Sequence, residues 1–150
     1  MINDYLKNEL FEGVISKQEF LIMHHKNKFN YDNLSLIAIH DPNKNSHDKS
    51  ITDQFVSSLQ IHFWDVLSIF GEYHPINNKQ GRKIKQFIFD NFNNRFVIHC
   101  SAGISRSAAV AKAIEILKNK YLDKNYFGID NHSRYSPNIT VLKTILNANV

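Results

Sequence analysis

Short apolar runs alternate with segments of helical periodicity along this chain, and that alternation is what most constrains its fold. The strand-like runs lie at residues 14–15, 34–39, 58–64 and 96–99, and helical patterns follow most of them. Strands that alternate with helices form a parallel sheet covered by helices. We therefore predict an α/β protein, a single domain over residues 1–150, with a central, mostly parallel sheet flanked by helices.

The helix boundaries carry recognisable signals. Ser16 is a candidate N-cap, and Glu19, three residues later, would complete a capping box at the start of the first helix. Apolar residues at helical spacing predict three further helices, over 78–94, 107–120 and 138–146. The polar stretch 43–54 is predicted to be a mobile loop.

Composition excludes several classes of protein. With 43% hydrophobic and 21% charged residues, the chain is neither disordered nor a low-complexity repeat. Its net charge of +4 weakly favours anionic ligands and does not indicate a nucleic-acid partner. A single cysteine excludes an internal disulfide and a cysteine-based zinc site. The first ten residues lack a signal-peptide pattern and no apolar run reaches the length of a membrane span, so we expect a cytoplasmic protein.

The most informative segment is residues 99–109, where a predicted buried strand runs into a helix. In open α/β sheets, ligands collect at the carboxyl ends of strands, opposite helix N-termini. Backbone N–H groups of residues 101–106 can turn inward there and form an anion nest. Gly103 permits a backbone conformation that a side chain would forbid. These features predict a phosphate-binding loop between strand and helix, called the 101–106 loop below.

Three side chains give this loop a candidate chemistry. The field of the helix N-terminus favours the thiolate form of Cys100, which would then attack phosphorus. The guanidinium of Arg106 can bind two phosphate oxygens and stabilise the charge of the transition state. Ser107 can donate a hydrogen bond to the sulfur and make it a better leaving group. The alternative is structural: a lone cysteine beside small residues is also common in a core, and this segment would then be an ordinary turn.

The run His-Cys-Ser-Ala-Gly-Ile-Ser-Arg-Ser at 99–107 resembles the HCxxGxxRS loop of the cysteine-dependent protein tyrosine phosphatases, and within them the dual-specificity branch that includes MAP-kinase phosphatases. Every fixed position of the motif is met, and the broader resemblance covers residues 30–150. It implies a covalent phosphocysteine intermediate at Cys100 that water hydrolyses, with no metal and no other cofactor. It also implies that the phosphate is bound by the loop residues Ser101, Ala102, Gly103, Ile104, Ser105 and Arg106.

The reaction also needs a general acid for the leaving group, which later serves as the base for water. The resemblance implies an Asp on a loop upstream of the cysteine. Asp65 lies 35 residues before Cys100 and directly follows a strand-like run. It is similar to the Asp of the family's Trp-Pro-Asp sequence, although the proline is missing. A surface Asp that caps a turn is the structural alternative, and Glu72 and Asp53 are the competing candidates for the acid.

The remaining predictions concern histidine and substrate. The His99 ring is expected to support the loop by bonding its backbone, with plain core packing as the alternative; the other histidines lack HExxH-type spacing and are not expected to bind metal. The expected partner is a phosphorylated protein, with phosphotyrosine favoured and phosphoserine and phosphothreonine as further candidates. A small-molecule phosphatase, acting on a phosphoinositide or a nucleotide, and a non-catalytic phospho-binding module are the rival functions. The sequence carries no indication of oligomeric state.

Overall fold

The computed structural model describes residues 4–150 and contains one four-stranded sheet. Its strands are, in chain order, β1 (Phe11–Ser16), β2 (Leu34–His40), β3 (Ser57–His62) and β4 (Arg95–Cys100). The strand order is β1-β4-β2-β3, and every neighbouring pair is parallel. The α/β prediction is therefore confirmed, and the sheet is parallel throughout.

Helices connect and cover these strands. In chain order they are α1 (Lys17–His25), α2 (Lys49–Thr52), α3 (Asn78–Asp90), α4 (Arg106–Leu122) and α5 (Ile139–Leu146). The predicted capping box at the start of α1 is confirmed, since Ser16 and Glu19 bond each other's backbone N–H groups. Within the predicted 43–54 loop lies the single turn α2, which forms because Asp48 caps it. Across residues 4–150, no helix combines the length and apolarity needed to cross a bilayer.

The strand β4 lies in the interior of the sheet and is covered on both faces. Phe96, Val97 and Ile98 are fully buried there. One face packs into the larger core beneath α3, α4 and α5, while the other packs into a smaller core around Phe20 of α1. Burial on both faces explains why this strand is a continuous apolar run rather than an alternating one. It also fixes the position of the last residue of the strand, Cys100.

Parallel pairing brings the carboxyl ends of all four strands to one edge of the sheet. Ser16 pairs with Cys100 across β1 and β4, and Ala38 pairs with His99 across β2 and β4. We call this the carboxyl edge. The segments that leave it are the start of α1, the 41–48 loop, the loop that follows β3 and the 101–106 loop. Residues that are distant in sequence can therefore meet around Cys100.

Candidate active site

Cys100 lies at the floor of the 101–106 loop. Its side chain is 2% exposed. The N–H of Gly103 donates to Cys100 Sγ at 3.2 Å, and Ser107 Oγ lies 3.2 Å from the same sulfur on its other side. Both contacts come from groups that can donate a hydrogen bond, so this position is suited to a sulfur anion.

Gly103 makes the tight shape of the loop possible. Its φ is +70°, a conformation that residues with a side chain rarely adopt. A Cβ at this position would lie 2.3 Å from the backbone of Ile15 and Ser16, at the junction of β1 and α1. The loop therefore packs directly on neighbouring backbone, and any larger residue would force the two segments apart.

Arg106 holds a buried guanidinium against Ser101, the residue that follows Cys100. The side chain is 4% exposed. Nη1 donates to the Phe63 carbonyl at 2.7 Å and forms an ion pair with Asp41 at 2.8 Å, while Nη2 donates to Ser101 Oγ at 3.1 Å. Nε is buried and has no hydrogen-bond partner among the described residues. The guanidinium is thus held in a fixed orientation, and its buried Nε–H is left for a further acceptor.

Asp65 lies at the exposed rim of the same loop. Its Oδ1 accepts hydrogen bonds from Ser105 Oγ at 2.9 Å and from Asn138 Nδ2 at 2.8 Å. Asn138 is 4% exposed and also caps α5 through its Oδ1. The carboxylate is therefore bound both to the 101–106 loop and to the start of α5.

The two competing acids lie differently. Glu72 is exposed in the loop that follows β3, and it forms no hydrogen bond with the 101–106 loop in the described part of the chain. Asp53 lies at the opposite edge of the sheet, because the nearby Val56 N–H bonds the Leu34 carbonyl at the beginning of β2. The structure thus brings Cys100 and Asp65 to one loop and leaves Asp53 distant from both.

His99 is fully buried next to Cys100 in the chain and belongs to a group of histidine rings. Its Nε2 lies 2.8 Å from Nε2 of His47, and its Nδ1 lies 3.4 Å from the Cys100 carbonyl. Its contact with backbone is thus at the last residue of β4, just before the 101–106 loop, and the contact with His47 is the shorter one. Burial lowers the pKa of His99 well below its usual range. Burial, assisted by nearby His40, lowers the pKa of His47 to about 4.

The lowered pKa values of His47 and His99 predict that the protein is less stable in acid. An unfolded histidine takes up a proton near pH 6.5, whereas folded His47 does so only near pH 4. The unfolded chain therefore binds more protons between these values, and the free energy of unfolding falls as pH drops from 6.5 to 4. We expect the part due to His47, which is partly exposed, to be about 1–2 kcal/mol.

Urea unfolding at several pH values measures this slope. His47→Gln should flatten the slope between pH 6.5 and 4, whereas His74→Gln, which changes an exposed side chain, should leave it unchanged. An unaltered slope in the His47 variant would show that the buried pair does not control acid stability.

Comparison with solved structures identifies the architecture. The chain superimposes on DUSP15 with a TM-score of 0.55 and 17% sequence identity, covering 89% of this chain and 79% of that one. A human tyrosine phosphatase-like serine/threonine/tyrosine-interacting protein gives a TM-score of 0.51 at 17% identity, covering 88% and 83%. PTPMT1, solved in complex with PI(5)P, gives 0.51 at 16% identity, covering 83% and 81%. The fold is that of the dual-specificity phosphatases. No family model matches the sequence, and neither does any curated protein.

Within this dual-specificity phosphatase fold, three supporting residues, Arg134, Asp41 and Asn138, were not predicted from the sequence. Arg134 Nε donates to the Gly103 carbonyl at 3.2 Å, and its Nη1 donates to Glu19 at 3.1 Å, so α1 and the 101–106 loop are joined. Asp41 orients Arg106 through an ion pair, and Asn138 orients Asp65 through a hydrogen bond. The one available signal was the Asp41-Pro42 break after a buried strand, which predicts a carboxylate at the carboxyl edge.

Proposed function

We propose that this protein is a cysteine-dependent phosphatase that hydrolyses phosphotyrosine in proteins, with phosphoserine and phosphothreonine as further substrates. The observation that carries the proposal is a buried Arg106, which binds Ser101 Oγ next to Cys100 and whose Nε has no partner among the described residues. A buried N–H without an acceptor costs about 1–3 kcal/mol. A phosphate oxygen would remove that cost and receive charge-assisted hydrogen bonds in return.

The start of α4 supports the same conclusion. Ser105 occupies the N-cap position, yet its side chain makes no capping hydrogen bond and donates to Asp65 instead. Within residues 4–150, the N–H groups of the first turn of α4 therefore lack a side-chain acceptor. An anion bound in the 101–106 loop would accept from them and would benefit from the helix dipole.

These positions support a two-step reaction. In the first step the thiolate of Cys100 attacks phosphorus, the S–P bond forms, and the bond from phosphorus to the leaving oxygen breaks. The carboxyl group of Asp65 gives its proton to that oxygen. Arg106 and the loop N–H groups stabilise the charge that develops on the transferring phosphoryl group.

In the second step Asp65, now a carboxylate, takes a proton from water while the water oxygen attacks phosphorus. The S–P bond breaks, and inorganic phosphate and the thiolate of Cys100 are released. The hydroxyl of Ser107, 3.2 Å from Sγ, donates to the departing sulfur and makes it a better leaving group. His99 and Gly103 hold the loop in place during both steps.

Two rival functions differ from this one in testable ways. A phospho-binding module without turnover would need neither a buried cysteine at the loop floor nor a carboxylate at the rim, and both are present here. A phosphoinositide phosphatase is less favoured because the residues 101–105 are uncharged, so the loop itself supplies no lysine for a second phosphate.

A substrate panel tests the proposal. Purified protein should hydrolyse para-nitrophenyl phosphate and a phosphotyrosine peptide, with a higher kcat/KM for that peptide than for its phosphothreonine counterpart, a soluble phosphoinositide or a nucleotide. Turnover confined to the phosphoinositide or the nucleotide would assign the site to small-molecule phosphates. Binding without turnover of any compound would make the protein a phospho-binding module.

A further inference from the structure

A surface cavity of about 420 Å³ opens beside the 101–106 loop. Its walls come from α1, the 41–48 loop and the 101–106 loop, chiefly from Lys17, Leu21, Ile22, Asp41, Lys44 and Ser101. The cavity meets the active site at Ser101, because the pairing of Ser16 with Cys100 places α1 next to this loop. The Lys17 N–H accordingly donates to the Ser101 carbonyl at 3.4 Å.

The cavity is electropositive. Two of its walls carry lysines, Lys17 and Lys44, and neither forms an ion pair with any carboxylate in residues 4–150. The carboxylate of Asp41 also faces the cavity, but it is engaged by Arg106 at 2.8 Å and by Ser101 Oγ at 3.2 Å. The charge of Asp41 is thus compensated within the active site, while the two lysines remain available to an anion.

Part of the cavity lining is apolar. Leu21 and the 44%-exposed Ile22 contribute this part from α1, where Gln18 and His25 also line the cavity. A carboxylate side chain matches both parts, since its methylene groups can cover apolar surface while its charged end reaches a lysine. An inositol phosphate matches less well, because it has no methylene groups to cover the apolar surface of Leu21 and Ile22.

We propose that this cavity binds an aspartate or glutamate side chain of the substrate, close in sequence to the phosphorylated residue. The substrate class is then an acidic phosphopeptide segment. The inference rests on the proposed function for the position of the phosphate, which anchors the peptide at the 101–106 loop. Lys17 and Lys44 would supply the selectivity, and Leu21 and Ile22 the apolar contact.

Peptide binding to the Cys100→Ser variant tests this without relying on turnover. Two labelled phosphotyrosine peptides are compared by fluorescence anisotropy, one with glutamates flanking the phosphotyrosine and one with glutamines in their place. We expect the acidic peptide to bind about 10-fold more tightly, as two exposed ion pairs would provide. Adding Lys17→Gln and Lys44→Gln should reduce the ratio to about 1, and Lys17→Glu with Lys44→Glu should invert it.

Lys124→Gln is the matched control, because Lys124 follows the far end of the 17-residue α4, about 25 Å from Arg106. It should leave the ratio unchanged, and thermal melts verify that every variant is folded. Equal affinities for the two peptides, or a ratio that survives removal of both lysines, would overturn the proposal. So would lysine-dependent binding of a soluble inositol bisphosphate together with equal peptide affinities.

Turnover of para-nitrophenyl phosphate by the unmodified protein tests the phosphatase function separately from the binding of acidic side chains in the cavity. Normal turnover without a preference for the acidic peptide would remove the acidic subsite and leave the phosphatase function intact. A lysine-dependent preference in a protein with no turnover would remove the phosphatase function and leave the subsite.

Discussion

Replacing Cys100 with serine is expected to lower kcat by about 10⁴-fold or more while leaving anion binding intact. The serine hydroxyl holds its proton far more tightly than a thiol, so the attacking anion is lost. The side chain keeps nearly the same volume at a position that is 2% exposed, and it can still accept from the Gly103 N–H. Arg106 and the first turn of α4 are unchanged, so phosphate or vanadate should still bind.

Two measurements check this prediction. Steady-state rates with para-nitrophenyl phosphate give the loss of turnover, and calorimetric titration with vanadate gives the retained affinity. Rapid acid quenching of the wild type with a labelled phosphotyrosine substrate should capture label on Cys100, whereas the serine variant should capture none. Retained activity in the variant would remove Cys100 as the nucleophile.

The fold was largely predictable from the sequence because the strands and the longer helices contain local signals of their own. The continuous apolar run of β4 predicts a strand buried on both faces, and Ser16 with Glu19 predicts the beginning of α1. The turn α2 was missed, since four residues in a polar stretch show no hydrophobic periodicity. A single side chain, Asp48, determines that turn, and a polar residue of this kind is equally common in loops.

The candidate site was predictable only where its residues are close in sequence. The thiol, the glycine and the arginine lie within seven consecutive residues, 100–106, so one segment contains the whole arrangement. Asp41 and Asn138 reach the site from other segments. Asp41 lies 65 residues before its partner Arg106, and Asn138 lies 73 residues after its partner Asp65. Their positions depend on the strand order, which places β2 beside β4, and on the docking of α5 against α4. No local pattern contains that information.

The histidines illustrate the same limit. For His99 the sequence predicts either support of the loop or plain core packing. The structure shows a buried ring with one long contact to the Cys100 carbonyl. The ring is fully buried, and its shorter hydrogen bond goes to His47, which is 52 residues away. His47 lies in a polar stretch where a histidine would ordinarily be exposed. Its ring becomes partly buried because the 41–48 loop folds back over the carboxyl edge.

Replacing Asp65 with asparagine is expected to slow hydrolysis of phenyl phosphate by about 10²–10⁴-fold. The amide oxygen can still accept from Ser105 Oγ and Asn138 Nδ2, so the rim should keep its structure, but the side chain can no longer give a proton to the leaving oxygen. The loss should be smaller for para-nitrophenyl phosphate, because its leaving group departs as an anion more readily. The rate of the variant should therefore depend steeply on leaving-group acidity.

The pH dependence of kcat shows whether Asp65 acts as a general acid or only supports the structure of the loop. A general acid must be protonated to act, so kcat of the wild type should fall at high pH, and Asp65→Asn should abolish this fall. Glu72→Gln is the matched control and should retain both the rate and the pH profile. A normal rate in the Asp65 variant, with loss of activity in the Glu72 variant, would transfer the role of acid to Glu72.

A companion variant examines how Asp65 is held. Asn138→Asp keeps an N-cap for α5, since aspartate caps helices as well as asparagine does. It removes the Nδ2–H that donates to Asp65 at 2.8 Å and introduces a second carboxylate at that distance. Repulsion between the two carboxylates favours the protonated form of one of them, so the fall in kcat should move to higher pH. A merely structural role for Asn138 would leave the profile where it is, because the cap of α5 is retained.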